Sequence, residues 1–265
     1  MNKELFIYKI ISNHLPYIPK ITGLVNRVFK AIYFRSEERK KERYIVDVLD
    51  NKMELEPYEC VDGGLFFYPH IYDKEEFSFL RNVLYEGDIF FDIGANIGIY
   101  TILASRLVSD KGIVVSIEAD PYNYKKLIKN IKLNNLNNIV TLNIGVSDKS
   151  ELLKLGINKT GNRGGNSFTY SGNESVDVQC ESLSKIVHNL DIKSIKLLKI
   201  DIEGFEYRVL KEFFENVTET LYPNYIIIEH LHSQEYENPI ELLLNHRYKV
   251  IKSNKYNSFL EYINE

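Results

Sequence analysis

Four short apolar runs of this chain each end in acids, and acids at strand ends sit where open α/β sheets bind ligands. Ile89 to Phe91 ends in Asp92, and Ile113 to Ile117 ends in Glu118. Ile195 to Ile200 ends in Asp201-Ile202-Glu203-Gly204-Phe205-Glu206, and Tyr225 to Ile228 ends in Glu229-His230. After Asp92, the residues Gly94-Ala95-Asn96-Ile97-Gly98 turn the chain into an apolar helix over Ile99 to Val108. Glycines let backbone N–H groups approach a ligand closely. The helix N-terminus favours a carboxylate, and Asp92 favours an ammonium. S-adenosylmethionine carries both groups at its methionine end.

Glu118 follows Asp92 by 26 residues, close to the ~20 of a βαβ nucleoside site, where a strand-end acid accepts from ribose hydroxyls. Counted along the chain, the third run is a further one, Ile139 to Ile144, which ends in Gly145-Val146-Ser147-Asp148 and makes Ile195 to Ile200 the fourth. Val146 and Asp148 are the expected apolar wall and amino-group acceptor for an adenine. Three carboxylates clustered after the fourth run repel unless a cation, a donor-rich ligand or a proton relieves them. Asp201 and Glu203 are read as functional, and Glu206 as a solvated first-turn residue. Asp201, Glu203 or His230 is then the general base that takes a proton from an alcohol. A divalent cation held by Asp201, Glu203 and Glu229 would activate the hydroxyl instead, and the sequence leaves the two open. A dinucleotide fingerprint fails, because Asn96 and Ile99 stand where glycines are required, and there is no P-loop. The Asp/Asn-Pro-Pro-Tyr/Phe segment of nucleobase N-methylation is absent after the fourth run, where Asp-Ile-Glu-Gly stands.

The elements that must position these residues alternate strand and helix, the pattern of a parallel α/β sheet. Asp120 and Pro121 cap and open a helix over Tyr122 to Asn134. Its lysines, Lys125, Lys126, Lys129 and Lys132, read as a solvated face. Glu75 to Leu84 forms a helix before the first core strand, and Met53 to Tyr72, with Gly63-Gly64 inside it, a small hairpin. Leu152 to Ile157 and Val176 to Cys180 are strands of an insertion, joined through a glycine- and asparagine-rich linker. From that linker Arg163, Asn166 and Ser167 are candidates to bond a sugar or phosphate.

The chain divides into an N-terminal extension, residues 1–74, and a main domain, residues 75–265. Residues 1–43 hold ten Lys/Arg against four Asp/Glu, a balance of +6, so the remainder carries −10 of the net −4. An acidic main domain argues against a nucleic-acid partner. Pro16 and Pro19 divide the basic segment into two short helices. That segment is read first as packing on its own domain or on a sister subunit in a homodimer. A peripheral membrane or biosynthetic-complex contact is the alternative. Cys60 and Cys180 form no metal or disulfide pattern, and a cytoplasmic location is expected.

These segments together resemble the FkbM-type methyltransferases, S-adenosylmethionine-dependent enzymes that usually methylate hydroxyl groups. The resemblance is carried by Gly87-Asp88 through Thr101, Glu118 through Pro121, Gly145 through Asp148 and Asp201 through Glu206, and it covers about Glu75 to Glu265. It implies a Rossmann-like class I methyltransferase fold, with a mostly parallel seven-stranded sheet, helices on both faces and a small N-terminal α/β extension. Asp92, Gly94, Ala95, Asn96, Gly98 and Thr101 then correspond to the methionine-end pocket. Glu118 with Ala119 corresponds to the ribose site, and Asp201 with Glu203 to the edge shared by cofactor and acceptor. Gly145 replaces a common alanine, and Ser184 stands where an aspartate is frequent. The implied acceptor is a hydroxyl on a glycan or glycoconjugate; a secondary metabolite, a lipid or a non-catalytic scaffold role are the alternatives.

Overall fold

The computed structural model describes residues 1–14, 19–158, 162–168, 174–230 and 237–263. Pro16 and linker residues Lys159 to Gly161 lie outside the described residues. The extension supplies α1 (Lys3–His14), α2 (Pro19–Tyr33), α3 (Glu37–Lys40), β1 (Tyr44–Val48), β2 (Asn51–Leu55) and α4 (Cys60–Phe67). Next come α5 (Lys74–Val83), β3 (Ile89–Ile93), α6 (Ile99–Val108), β4 (Ile113–Ile117), α7 (Pro121–Leu133) and β5 (Ile139–Leu142). The insertion comprises β6 (Gly145–Ser147), β7 (Glu151–Gly156) and β8 (Ser175–Ser182). The chain closes with α8 (Leu183–Asn189), β9 (Leu197–Ile200), α9 (Glu206–Asn216), β10 (Tyr225–Glu229), α10 (Pro239–Asn245), β11 (Tyr248–Ser253) and β12 (Asn257–Tyr262).

Seven strands form one sheet in the order β11-β12-β10-β9-β3-β4-β5. Every pairing from β10 to β5 is parallel, and β12 runs antiparallel to both of its neighbours. Strand order reverses between β3 and β9, which opens a crevice at their C-terminal ends. Side chains alternate across the sheet. Phe90, Val114, Leu197 and Phe259 face one core with α5, α6 and the extension. Phe91, Val115, Leu198 and Leu260 face the other with α8, α9 and α10.

The extension shares the first of these cores: Leu5, Phe34, Leu55 and Phe66 belong to the cluster that contains Phe90 and Ile102. The hairpin lies earlier than the sequence suggests. It joins β1 to β2 through Leu49 and Asp50, whose φ values of 48° and 64° make the left-handed two-residue turn a hairpin favours. Gly63 and Gly64 instead lie inside α4, where a Cβ would stand 2.7 Å from the Pro57 carbonyl or 2.5 Å from the Tyr72 ring. Close packing, and not a turn, requires them. Nor is the α7 lysine face wholly solvated. Lys126 is buried in an ion pair with Asp62, with Glu56 3.8 Å away, and Lys129 pairs with Glu54. These pairs fasten the extension to the main sheet.

Candidate active site

A cavity of about 660 Å³ opens over the C-terminal ends of β3, β4, β9 and β10. Its floor is the turn Gly94 to Ile97 with Glu118 and Ala119. Asp201, Glu203 and Glu229 form one edge. The extension adds Cys60, Val61, Tyr72 and Asp73, and the insertion adds Arg163 to Asn166 and Phe168.

The turn is held largely by its own backbone. The N–H groups of Gly94 and Ala95 both donate to the Ile117 carbonyl at 3.0 Å, and that of Gly98 donates to the Ala95 carbonyl. The expectation that these groups serve a ligand is therefore corrected for those three. Gly94 is required for another reason: at φ +79° its Cβ would stand 1.9 Å from the Asp201 carbonyl, so the exit of β9 passes directly against it. Gly98, at φ +93°, packs on Leu127 and does not line the cavity.

Glu118 lies where the sequence places it, in the cavity floor. Its carboxylate accepts from the Asn96 N–H at 2.7 Å and the Asp120 N–H at 2.9 Å. Burial pushes this carboxyl up to about 7, against the pull of those two bonds. Each oxygen keeps a further lone pair for a hydroxyl donor.

Asp92 is placed differently from the expectation. It is fully buried beneath the turn and is not part of the cavity wall. Its Oδ2 accepts from Thr101 Oγ1 at 2.6 Å, Thr101 lies 2.8 Å from Ser116 Oγ, and Oδ1 has no partner. Burial raises its pKa, and the Lys199 ammonium opposes that rise. The ammonium that Asp92 faces is thus the protein's own. Thr101 belongs to this buried network and not to the cavity. Asp148 also departs: it is bonded to Ser147 and to Arg208 at 2.5 Å, away from the cavity, whereas Val146 lines it.

At the acidic edge, Asp201, Glu203 and Glu229 bring carboxylate oxygens within 4.8 Å of one another. Lys199 sits beside them, with Nζ 3.2 Å from Asp201 Oδ2 and 4.8 Å from the Tyr100 ring centroid. Burial pulls this ammonium down, but Asp201 and Asp92 more than offset it and leave it above its ordinary pKa. Burial and then the charges of Asp201, Glu203 and Glu206 push Glu229 up to about 9. Like-charge repulsion is therefore relieved by a lysine and a proton, two of the means the clustering demanded.

Glu206 is not solvated. It is buried and accepts from the N–H groups of Ile202 at 2.9 Å and Gly204 at 3.0 Å. It thereby fixes the loop on which Glu203 stands at φ +56°. His230 approaches Ser258 Oγ at 3.1 Å through Nδ1 and does not line the cavity. Arg163 and Asn166 both bond Asp120 Oδ2, at 3.0 and 2.8 Å, and Ser167 donates to the Glu203 carbonyl at 2.8 Å. The linker segment is thus drawn across the cavity by contacts to the protein itself.

Two charged cavity residues escape the sequence reading. Asp73 is pushed up to about 6 by burial and accepts from Tyr100 Oη at 2.8 Å. It precedes α5 with no motif to mark it. Lys199 carries a signal that would have found it, a single cation among Leu197, Leu198 and Ile200.

A seven-stranded sheet with one antiparallel strand and an acid-lined crevice at the strand-order reversal defines a class I methyltransferase fold. The family model described as "Methyltransferase FkbM domain" matches residues 92–260. The chain belongs to the FkbM methyltransferase family. Among solved structures, it is similar to methyltransferase FkbM from Methylobacillus flagellatus KT, 15% identical with a TM-score of 0.47. The match covers 77% of this chain and 54% of that one, so the chain spans about half of that protein. It is also similar to M. jannaschii TYW2, solved in complex with AdoMet: 18% identity, TM-score 0.43, covering 83% and 87% of the two chains. A third is a putative rRNA-methylase from Clostridium thermocellum, at 12% identity and TM-score 0.44, covering 72% and 96%. Comparison with curated proteins finds no match.

Proposed function

We propose that the cavity binds S-adenosylmethionine and that the protein methylates a hydroxyl on a sugar of a glycan or glycoconjugate. The observation that carries this reading is the placement of Glu118 and the Asp201–Glu203–Glu229 edge on one cavity formed by neighbouring strand ends. The residues present fit the cofactor. Glu118 is an acid with lone pairs left for ribose hydroxyls, and Val146 and Ile117 are apolar walls for a base. When bound, the cofactor supplies a methyl group made electrophilic by a sulfonium.

The chain's own residues then have three tasks. The cavity walls align the acceptor, which supplies most of the acceleration when the electrophile is already activated. Glu229, protonated at neutral pH, donates a hydrogen bond to an acceptor oxygen. Proton removal from the attacking hydroxyl falls to Asp201 or Glu203, with Asp73 facing them from the extension. An aprotic nucleophile would need no such base, and the acidic edge therefore suits an acceptor that loses a proton, as a hydroxyl does.

Incubation with methyl-labelled S-adenosylmethionine and fractionated cell extract tests this. Label is expected in a carbohydrate fraction and should resist mild alkali, as a methyl ether does and a methyl ester does not. Label in an RNA or protein fraction, or alkali-labile label, would overturn the assignment.

A further inference from the structure

We infer that the outer face of α1 and α2 seats the protein on an anionic lipid surface. Phe6, Ile7, Ile10 and Ile11 on α1, and Leu24, Val25, Val28 and Ile32 on α2, are each between 45% and 61% exposed. Their spacing puts four large apolar side chains on one stripe of each helix. The opposite stripes are already used: Leu5 and Tyr8 are buried, and Tyr8 stacks on Phe29 of α2 at 3.7 Å. Both rings lie against Phe67 of α4, at 5.1 and 6.0 Å. The two helices are thus tied to each other through these rings and to α4, and each leaves its apolar stripe exposed.

Isolated exposed apolar residues are ordinary, but eight on two packed helices are not. Charge selects what covers them. Lys3 is exposed on the α1 stripe, and Arg27 is exposed beside that of α2. The acid of this face, Glu4, has Arg39 3.8 Å away. Residues 1–43 carry +6 in a chain of net charge −4. A second copy of the chain meeting this face across a twofold axis would bring two such segments together, and they would repel. Anionic headgroups match the cations, and acyl chains match the apolar stripe, the combination by which amphipathic helices lie in a membrane interface.

The opposite, inner side of α2 reaches the segment that precedes the cavity wall. Lys30 of α2 donates to the carbonyls of Tyr58 at 3.1 Å and Glu59 at 3.3 Å, and the next residues, Cys60 and Val61, line the cavity. The proposed hydroxyl methylation is a separate reading of the cavity. The docking itself does not depend on that reading.

Flotation of the full-length protein with vesicles tests it without cofactor or acceptor, so failure would leave the methyl-transfer proposal standing. Bound protein should be about tenfold higher on vesicles containing phosphatidylglycerol than on phosphatidylcholine alone, and should fall with added salt. The double variant Ile10→Glu, Val28→Glu should lose that binding while melting at the temperature of the parent, because both positions face solvent. No binding to phosphatidylglycerol vesicles, or equal binding by the double variant, would overturn the inference. So would a dimer in sedimentation that the double variant dissolves, since the face would then be a contact between copies.

Discussion

At the scale of single residues, Glu118 and Asp92 part company although both are strand-end acids. Glu118 is in the cavity floor, and its carboxyl is pushed from the usual 4.5 up to about 7. Hydroxyl donors prefer the ionised form. Cofactor affinity is therefore expected to weaken as pH falls below about 7, with proton release on binding in calorimetric titration. The stability linkage has the opposite sense. The folded state holds this proton more tightly than the unfolded chain, so the contribution is present below pH 4.5 and is lost as pH rises through about 7. Glu118→Ala should weaken S-adenosylmethionine binding by about ten- to a hundredfold, since each bond to a charged acceptor contributes about 1.5–3 kcal/mol. Asp92→Ala should act mainly on stability, by about 1–3 kcal/mol, because it removes the carboxylate that accepts from the buried Thr101 hydroxyl. Thermal melting and calorimetry on the two variants distinguish these roles. A larger affinity loss from Asp92→Ala than from Glu118→Ala would return Asp92 to the binding site.

At the scale of elements, two contacts hold the cavity's shape. Gly94→Ala places a Cβ against the Asp201 carbonyl in a left-handed conformation. It should lower the melting temperature by at least about 2–4 °C, the shift for ~1 kcal/mol in a domain of this size, and should disturb the acidic edge as well. Lys126→Ala leaves Asp62 buried and unpaired beneath α7, which should cost about 3–5 kcal/mol in denaturant unfolding. The acidic edge makes a prediction of its own. The Lys199 ammonium already stands beside Asp201, so a chelator is expected to leave methyl transfer to the labelled fraction unchanged. Loss of transfer restored by magnesium would assign a cation to Asp201, Glu203 and Glu229.

At the scale of the whole molecule, the extension is part of the main core and of the cavity. Leu5, Tyr33 and Phe34 share a cluster with Phe90 and Ile102, while Tyr72 and Asp73 face the acidic edge. Deleting residues 1–43 should therefore expose Phe66 and Phe67 and yield protein that aggregates on size-exclusion chromatography. A monomeric, cofactor-binding truncation would show that the extension is dispensable for folding. Among the described residues no helix is long and apolar enough to cross a membrane.

The sequence by itself determined the sheet and its binding edge. Strands β3 and β4, helix α6 and the cap of α7 follow from apolar runs, glycines and Asp120, signals that act within a few residues of chain. For the same reason Glu118 and Ala119 stand just after β4, whereas Val146 falls inside β6 of the insertion. Only the tertiary structure decided which acids face inward. Asp148 turned to Arg208 and His230 to Ser258, because each met a partner far away in sequence, whereas Asp92 was buried by the fold against the nearby Thr101. Glu206 was claimed by two backbone N–H groups, and Lys126 by an acid of the extension. Local pattern specifies where a side chain leaves the backbone. Its charge state and its neighbours depend on burial and long-range contact, which no single stretch of sequence contains.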